Sequence, residues 1–219
     1  MSAPVHLRPH ADVAERVLLP GDPGRALRLA QEVVEVPKML NHHRGLWGYT
    51  GIASDGAPLT IQSTGLGGPS TAIVVEELIA LAARRLVRVG TCRALVDVPL
   101  GSLVVPERVR CEDGVTRALE AGAVLEPDPE LLASLAGADG VVGEVVSTDL
   151  YYDPRPERWE GAVAVDLSTA ALLAVAARHG ARAACVLVVS ESPAGRIEHE
   201  ALERAEVAAG RAGAAALGA

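Results

Sequence analysis

Short apolar, β-branched runs alternate with Ala/Leu/Glu-rich stretches along almost the whole chain, and this alternation constrains the fold more than any other feature. The strand candidates are Val17–Leu19, Tyr49–Ala53, Leu59–Ser63, Leu86–Val89, Ser102–Val105, Val141–Val146, Ala162–Val165 and Ala184–Val189. The helix candidates are Gly24–Glu32, Ser70–Arg84, Asp128–Ala136, Ser168–His179 and Glu198–Leu217, and the Ala-rich tail after Gly210 is expected to fray. Alternation of this kind predicts an α/β fold with a mixed, mostly parallel central sheet flanked by helices. No repeat or low-complexity linker divides the 219 residues, so residues 1–219 are expected to form one domain.

Three of the strand candidates end in glycine turns. Arg16-Val17-Leu18-Leu19-Pro20 runs into Gly21-Asp22-Pro23-Gly24-Arg25 and then into a helical segment. At such a junction the first backbone N–H groups have no internal partners, and the helix dipole favours an anion. Gly21 allows close approach of backbone to ligand, and Arg25 adds a fork-shaped charged donor. The plain alternative is a tight turn carrying a surface arginine. The other two turns are Ser63-Thr64-Gly65-Leu66-Gly67-Gly68-Pro69-Ser70 and Arg88-Val89-Gly90-Thr91-Cys92-Arg93. In open α/β sheets ligands collect beyond the carboxyl ends of the strands, so three such turns can converge on one pocket. None carries the Gly-x-Gly-x-x-Gly dinucleotide pattern or a Walker Gly-Lys-Ser/Thr.

Composition narrows the partners. The net charge of −8 and pI near 5.3 argue against a nucleic-acid or anionic-membrane surface. No apolar run reaches membrane length and no basic-then-apolar signal opens the chain, so a cytoplasmic protein is expected. Cys92, Cys111 and Cys185 are too widely spaced for a zinc motif and fit reduced thiols. No metal site is expected. Phe is absent, so a ring that stacks on a ligand must come from Trp47, Trp159, Tyr49, Tyr151 or Tyr152.

The three turns, with Arg44-Gly45 and Gly48-Tyr49-Thr50-Gly51 between the first two, resemble in order and spacing the hexameric nucleoside phosphorylases. That family includes bacterial purine nucleoside phosphorylases and uridine phosphorylases. The resemblance runs from about His6 to Arg204 and is strongest through Val105. It implies a three-layer phosphorylase/hydrolase-like fold and replacement of a nucleoside's base by phosphate at C1′, with no cofactor beyond phosphate as co-substrate. By the same resemblance Gly21, Arg25, Arg88 and Thr91 match phosphate-binding positions. Arg44 and His6 match residues that reach phosphate and the ribose 5′-hydroxyl from a neighbouring subunit. The implied assembly is a hexamer built as a trimer of dimers.

The nucleoside end departs from the family pattern. Asp166-Leu167-Ser168 stands where the family has Glu-Met-Glu, and the resemblance places these three and Cys92 at the nucleoside; the carboxylate that holds the ribose hydroxyls is replaced by the Ser168 hydroxyl, unless Asp166 or water substitutes for it. Ser168 alternatively caps the following helix. Glu191 falls where purine-cleaving members carry the Asp that protonates the departing base, and Arg204 matches the arginine that assists it. A solvated strand-end Glu191 is the alternative. After Thr91 and Cys92, Arg93 stands where the family has Gly; it fills the base pocket, turns to solvent, contacts another ligand, or pairs with Asp149, Glu191 or Asp166. Tyr151 matches the base-stacking aromatic, with core packing as the alternative. For Arg88, inside an apolar strand, the alternative to a bound anion is a buried ion pair with Asp or Glu. Pro156-Glu157-Arg158 has a faint likeness to the uracil-reading Gln-x-Arg of uridine phosphorylases.

The leading expectation is phosphorolysis of purine (deoxy)ribonucleosides to free base and (deoxy)ribose 1-phosphate. A catalytically impaired phosphorylase-fold paralogue and a uridine phosphorylase are the alternatives.

Overall fold

The computed structural model describes residues 4–137 and 140–218, apart from the side chains of Pro156 and Glu157. The uracil-reading comparison at Pro156-Glu157-Arg158 therefore lies outside the described residues except for Arg158. Among the described residues, eleven strands and six α-helices follow one another, beginning β1 (Arg16–Pro20), α1 (Pro23–Val33), β2 (Val34–Asn41), β3 (Gly48–Ala53), β4 (Pro58–Gln62), α2 (Gly67–Ala80), β5 (Arg85–Ala94) and β6 (Leu103–Glu112). The second half runs α3 (Gly114–Ala118), β7 (Val124–Leu125), α4 (Pro129–Ala136), β8 (Val141–Thr148), β9 (Ala164–Asp166), α5 (Thr169–Arg178), β10 (Arg182–Ser192), β11 (Gly195–Arg196) and α6 (His199–Gly218).

The strands β4, β1, β5 and β10 lie side by side and parallel, as the apolar alternation predicts. Alternate side chains along β1 separate the two covering layers. Leu18 packs with α1, α4 and α6, while Val17 and Leu19 pack with α2 and α5. The hairpin β2–β3 extends the sheet antiparallel from β4. At the other side the sheet closes on itself: β10 pairs with both β5 and β6, and β8 and β9 complete a ring back to β5. Cys92, Val104, Val145, Ala164, Cys185 and Leu187 fill that ring.

The tail after Gly210 does not fray; this expectation is corrected. Helix α6 continues to Gly218 and buries Ala209, Gly213, Ala216 and Leu217. A Cβ at Gly213 would lie 2.9 Å from Leu18 and 3.2 Å from Val87, so glycine lets the helix sit directly on the sheet. Alanine is the strongest helix former, and the apolar area that α6 covers offsets the cost of Gly210, Gly213 and Gly218.

Candidate active site

The carboxyl ends of β1, β4, β5, β8, β9 and β10 surround one cavity of about 400 Å³, a size suited to a small molecule. All three glycine turns reach it. Its wall includes Gly21, Arg25, Gly65, Arg88, Thr91, Cys92, Arg93, Tyr151, Asp166, Leu167, Ser168 and Ser190.

Gly21 and Gly65 bring the first two turns together. A Cβ on Gly21 would stand 3.3 Å from the Gly65 carbonyl oxygen and 3.8 Å from Arg88 Nη1. Asp22 caps α1 by accepting from the Arg25 amide at 2.8 Å, which fixes the start of the helix beside the cavity. The Arg25 side chain is buried. Its Nη1 donates to the Val89 carbonyl at 3.2 Å and its Nη2 pairs with Glu206 of α6 at 2.5 Å, but Nε has no partner. Arg88 is held from the other side, with Nε and Nη2 at 3.3 and 3.2 Å from Asp166 Oδ2. Its Nη1 is buried and has no partner. Gly90 leaves room for this guanidinium, since a Cβ there would lie 2.8 Å from Arg88 Cζ.

Two buried arginines in one cavity therefore each keep one N–H unpaired. Leaving such a donor unmet costs roughly 1–3 kcal/mol, more where charge is involved, so an anion bound here recovers a real deficit. The buried ion pair considered for Arg88 is present, but it satisfies only part of the guanidinium.

Asp166 is not a free nucleoside-binding carboxylate, and that expectation is corrected. Oδ2 accepts from Arg88, the amides of Ser168 and Thr169 at 3.1 Å each, and Thr169 Oγ1 at 2.8 Å. Oδ1 accepts from Ser147 Oγ, which in turn accepts from the Ala170 amide at 3.0 Å. Asp166 thus positions Arg88 and supplies the α5 cap. Ser168 occupies the N-cap position but makes no side-chain capping bond, because Asp166 already takes the first free amides of α5. Ser168 is buried in the cavity wall beside Leu167.

At the other end, Tyr151 donates to Glu191 Oε2 at 2.6 Å. This bond, with burial added, raises the Tyr151 hydroxyl pKa above its ordinary value. Tyr151 is 41% exposed and belongs to the cavity rim rather than the core. Glu191 also lies 3.5 Å from Arg196, while the expected helper Arg204 is 73% exposed and pairs with Glu200 at 3.9 Å. The Glu191–Arg204 pair is therefore corrected: the two-residue strand β11 folds Arg196 back onto β10 and puts it there instead.

Arg93 pairs with none of the three carboxylates considered for it. Asp149 accepts from the Gly114 amide at 2.7 Å, Asp166 holds Arg88, and Glu191 holds Tyr151. The Arg93 guanidinium instead lies 5.4 Å from the centre of the buried Trp159 ring, in the cavity wall but drawn to one side of it. Cys92 is buried, with Sγ 3.7 Å from the Val188 carbonyl oxygen, and burial pushes its thiol pKa well up.

The sequence profile of the phosphorylase superfamily matches residues 15–218, which includes every strand and helix of the cavity. The chain belongs to the phosphorylase superfamily. It is 35% identical over 196 residues to a purine nucleoside phosphorylase DeoD-type of Caldanaerobacter subterraneus subsp. tengcongensis, covering 83% of this chain and 84% of that one. A second relative of the same name, from Geobacillus kaustophilus, is 37% identical over 194 residues, covering 82% of each. Among solved structures, uridine phosphorylase from Vibrio fischeri superposes with a TM-score of 0.86 at 25% identity, covering 94% of this chain and 91% of that one.

Two candidate residues of this phosphorylase stand outside its own cavity. His6 Nδ1 lies 2.7 Å from Glu77 Oε1, and Glu77 also accepts from the amides of Val5, His6 and Leu7. Burial raises the Glu77 pKa, yet these bonds outweigh it and leave the carboxyl below its ordinary range. Arg44 is exposed in the His43–Gly45 turn, with a left-handed φ of 59°. The sequence reading missed Glu206 and Ser147, named Gly90 only within the third turn, and named Trp159 only as one of five rings able to stack on a ligand. Glu206 carried one usable signal, a carboxylate on the same helical face as Ala209, Gly210 and Gly213. Nothing marked Ser147.

Proposed function

We propose that the protein cleaves purine (deoxy)ribonucleosides by phosphorolysis, releasing the base and (deoxy)ribose 1-phosphate. The observation that carries the reading is the pair of unpartnered, buried guanidinium N–H groups on Arg25 and Arg88, set against the Gly21 turn. Phosphate would take both, with amides of the Gly21 turn and Thr91 beside it. Held there, it attacks C1′ as the bond from C1′ to the base nitrogen breaks. Positioning and fixed charge then supply most of the catalysis. The names of the relatives at 35% and 37% identity support the purine substrate.

In this reading Arg25 and Arg88 reach the phosphate already partly neutralised by Glu206 and Asp166. A dianion then calls for further positive charge, and Arg44 of a neighbouring copy is the proposed source, with His6 of that copy at the ribose. Their position outside their own cavity supports a shared site in a homodimer, and we extend this to a hexamer of three dimers. No cofactor is required beyond phosphate, and a cytoplasmic nucleoside-salvage role is the matching cellular reading. Among the described residues no helix is long and apolar enough to cross a membrane.

The test is base release from inosine, guanosine, adenosine, uridine and thymidine, with and without phosphate. Phosphate-dependent release from purine nucleosides is expected. Release without phosphate points to hydrolysis, release from uridine alone points to the pyrimidine reading, and no release at high enzyme concentration points to the impaired paralogue. The last has one observation in its favour: Asp166 is spent on Arg88 and Ser168 is neutral, so no free carboxylate meets the ribose hydroxyls.

A further inference from the structure

Resting on the phosphorolytic reading, we propose that Arg93 is the group that stabilises the departing base, and that it selects 6-oxopurine nucleosides. When the bond from C1′ to N9 breaks, its electron pair passes to the base. In a 6-oxopurine that charge spreads over the ring to N7 and O6, and these two atoms lie along one edge. The base leaves as an anion and takes a proton from water after release, while the phosphate oxygen completes the new bond to C1′. Something must meet the charge at N7 and O6.

Glu191 is poorly placed to do so. It sits outside the main cavity wall, accepts the Tyr151 hydroxyl at 2.6 Å and faces Arg196 at 3.5 Å. Both contacts fall on its Oε2, so the carboxylate is already engaged on the side of Tyr151 and Arg196. Arg93 is its neighbour across the β10–β5 register, at the end of the cavity away from Arg88. Four strand residues lie between the two arginines, so five residue steps set them roughly 16 Å apart along the backbone. Arg93 has no carboxylate partner among the described residues, and its guanidinium lies over Trp159. A guanidinium held by a ring rather than by a carboxylate keeps N–H groups open to a further acceptor. Those N–H groups match the paired O6 and N7 acceptors of a 6-oxopurine, whereas a 6-amino group would set donor against donor. Arg93 borders both the main cavity and an adjoining one beside Trp159, so it can reach the base from the wall without filling the space.

The experiment compares inosine and guanosine with 7-methylguanosine, whose base leaves without an added proton and needs no such help. Arg93→Gln should lower kcat/KM for inosine and guanosine by about 100-fold or more, the usual loss when one preorganised donor is removed. For 7-methylguanosine it should change by less than about threefold on the same reasoning, which also shows that the variant is folded. Glu191→Gln should change both substrate types by the same factor, and the unmodified protein should prefer inosine to adenosine. Equal loss on both substrate types in Arg93→Gln, or selective loss of inosine in Glu191→Gln, overturns the assignment to Arg93 while leaving phosphorolysis standing. An adenosine preference overturns the fork pairing. Absence of phosphate-dependent release in the unmodified protein overturns both readings.

Discussion

Replacing Asp166 by Asn isolates the charge that holds Arg88. Asn has nearly the same shape, can still accept at Oδ1, and suits a helix start, so the cap on α5 is largely kept. What is lost is the counter-charge of an arginine that is only 6% exposed. Stranding one member of a buried pair costs about 3–5 kcal/mol. In a chain of this length each kcal/mol moves the melting temperature by about 2–4 °C, so Asp166→Asn should melt roughly 6–20 °C lower. Phosphate should recover part of that loss, because an anion beside Arg88 replaces the missing charge; ligand at 100 times Kd adds about 2.7 kcal/mol. The assay is a thermal melt in phosphate and in chloride of equal ionic strength. The phosphate gain should be larger in the variant than in the wild type. A drop below about 3 °C, or a phosphate gain no larger than the wild type's, would refute the argument that Arg88 depends on this carboxylate.

Other parts of the fold make independent predictions. Gly213→Ala places a Cβ 2.9 Å from Leu18 and should destabilise by about 1–3 kcal/mol, read as a lower urea midpoint at constant slope. Glu77 has a folded pKa below its ordinary 4.5, so its contribution is present above that pH and lost as pH falls toward the folded value. Glu77→Gln should therefore lower the denaturation midpoint at pH 7 and flatten its decline below about pH 4.5. Burial pushes the Cys185 thiol up to about 12 and also raises Cys92 and Cys111. A thiol reagent at pH 8 should accordingly modify all three slowly in the native protein and quickly after unfolding.

The strands most legible in the sequence were those buried on both faces. Leu86–Val89 and Ala184–Val189 read as apolar runs because both faces are covered, one by α1, α4 and α6 and the other by α2 and α5 or by the interior of the closed ring. Strand β2 was invisible for the opposite reason. Glu35 to Met39 are exposed, Pro37 interrupts them, and the register shifts twice against β3. Strands β5 and β6 run further than their apolar cores suggested, because ring closure pairs the polar residues that follow.

By itself the sequence determined the layered α/β plan, the three glycine turns and the arginines near them, because each depends on local periodicity and turn chemistry. Only the tertiary structure decided what those arginines do. Glu206 reaches Arg25 from the last helix, Asp166 reaches Arg88 across the sheet, and Trp159 takes Arg93. A buried guanidinium is defined by the groups that meet its five N–H donors, and those groups are far away in the chain. The two N–H groups left unpaired, on Arg25 and Arg88, are a property of the folded cavity that no local pattern could report.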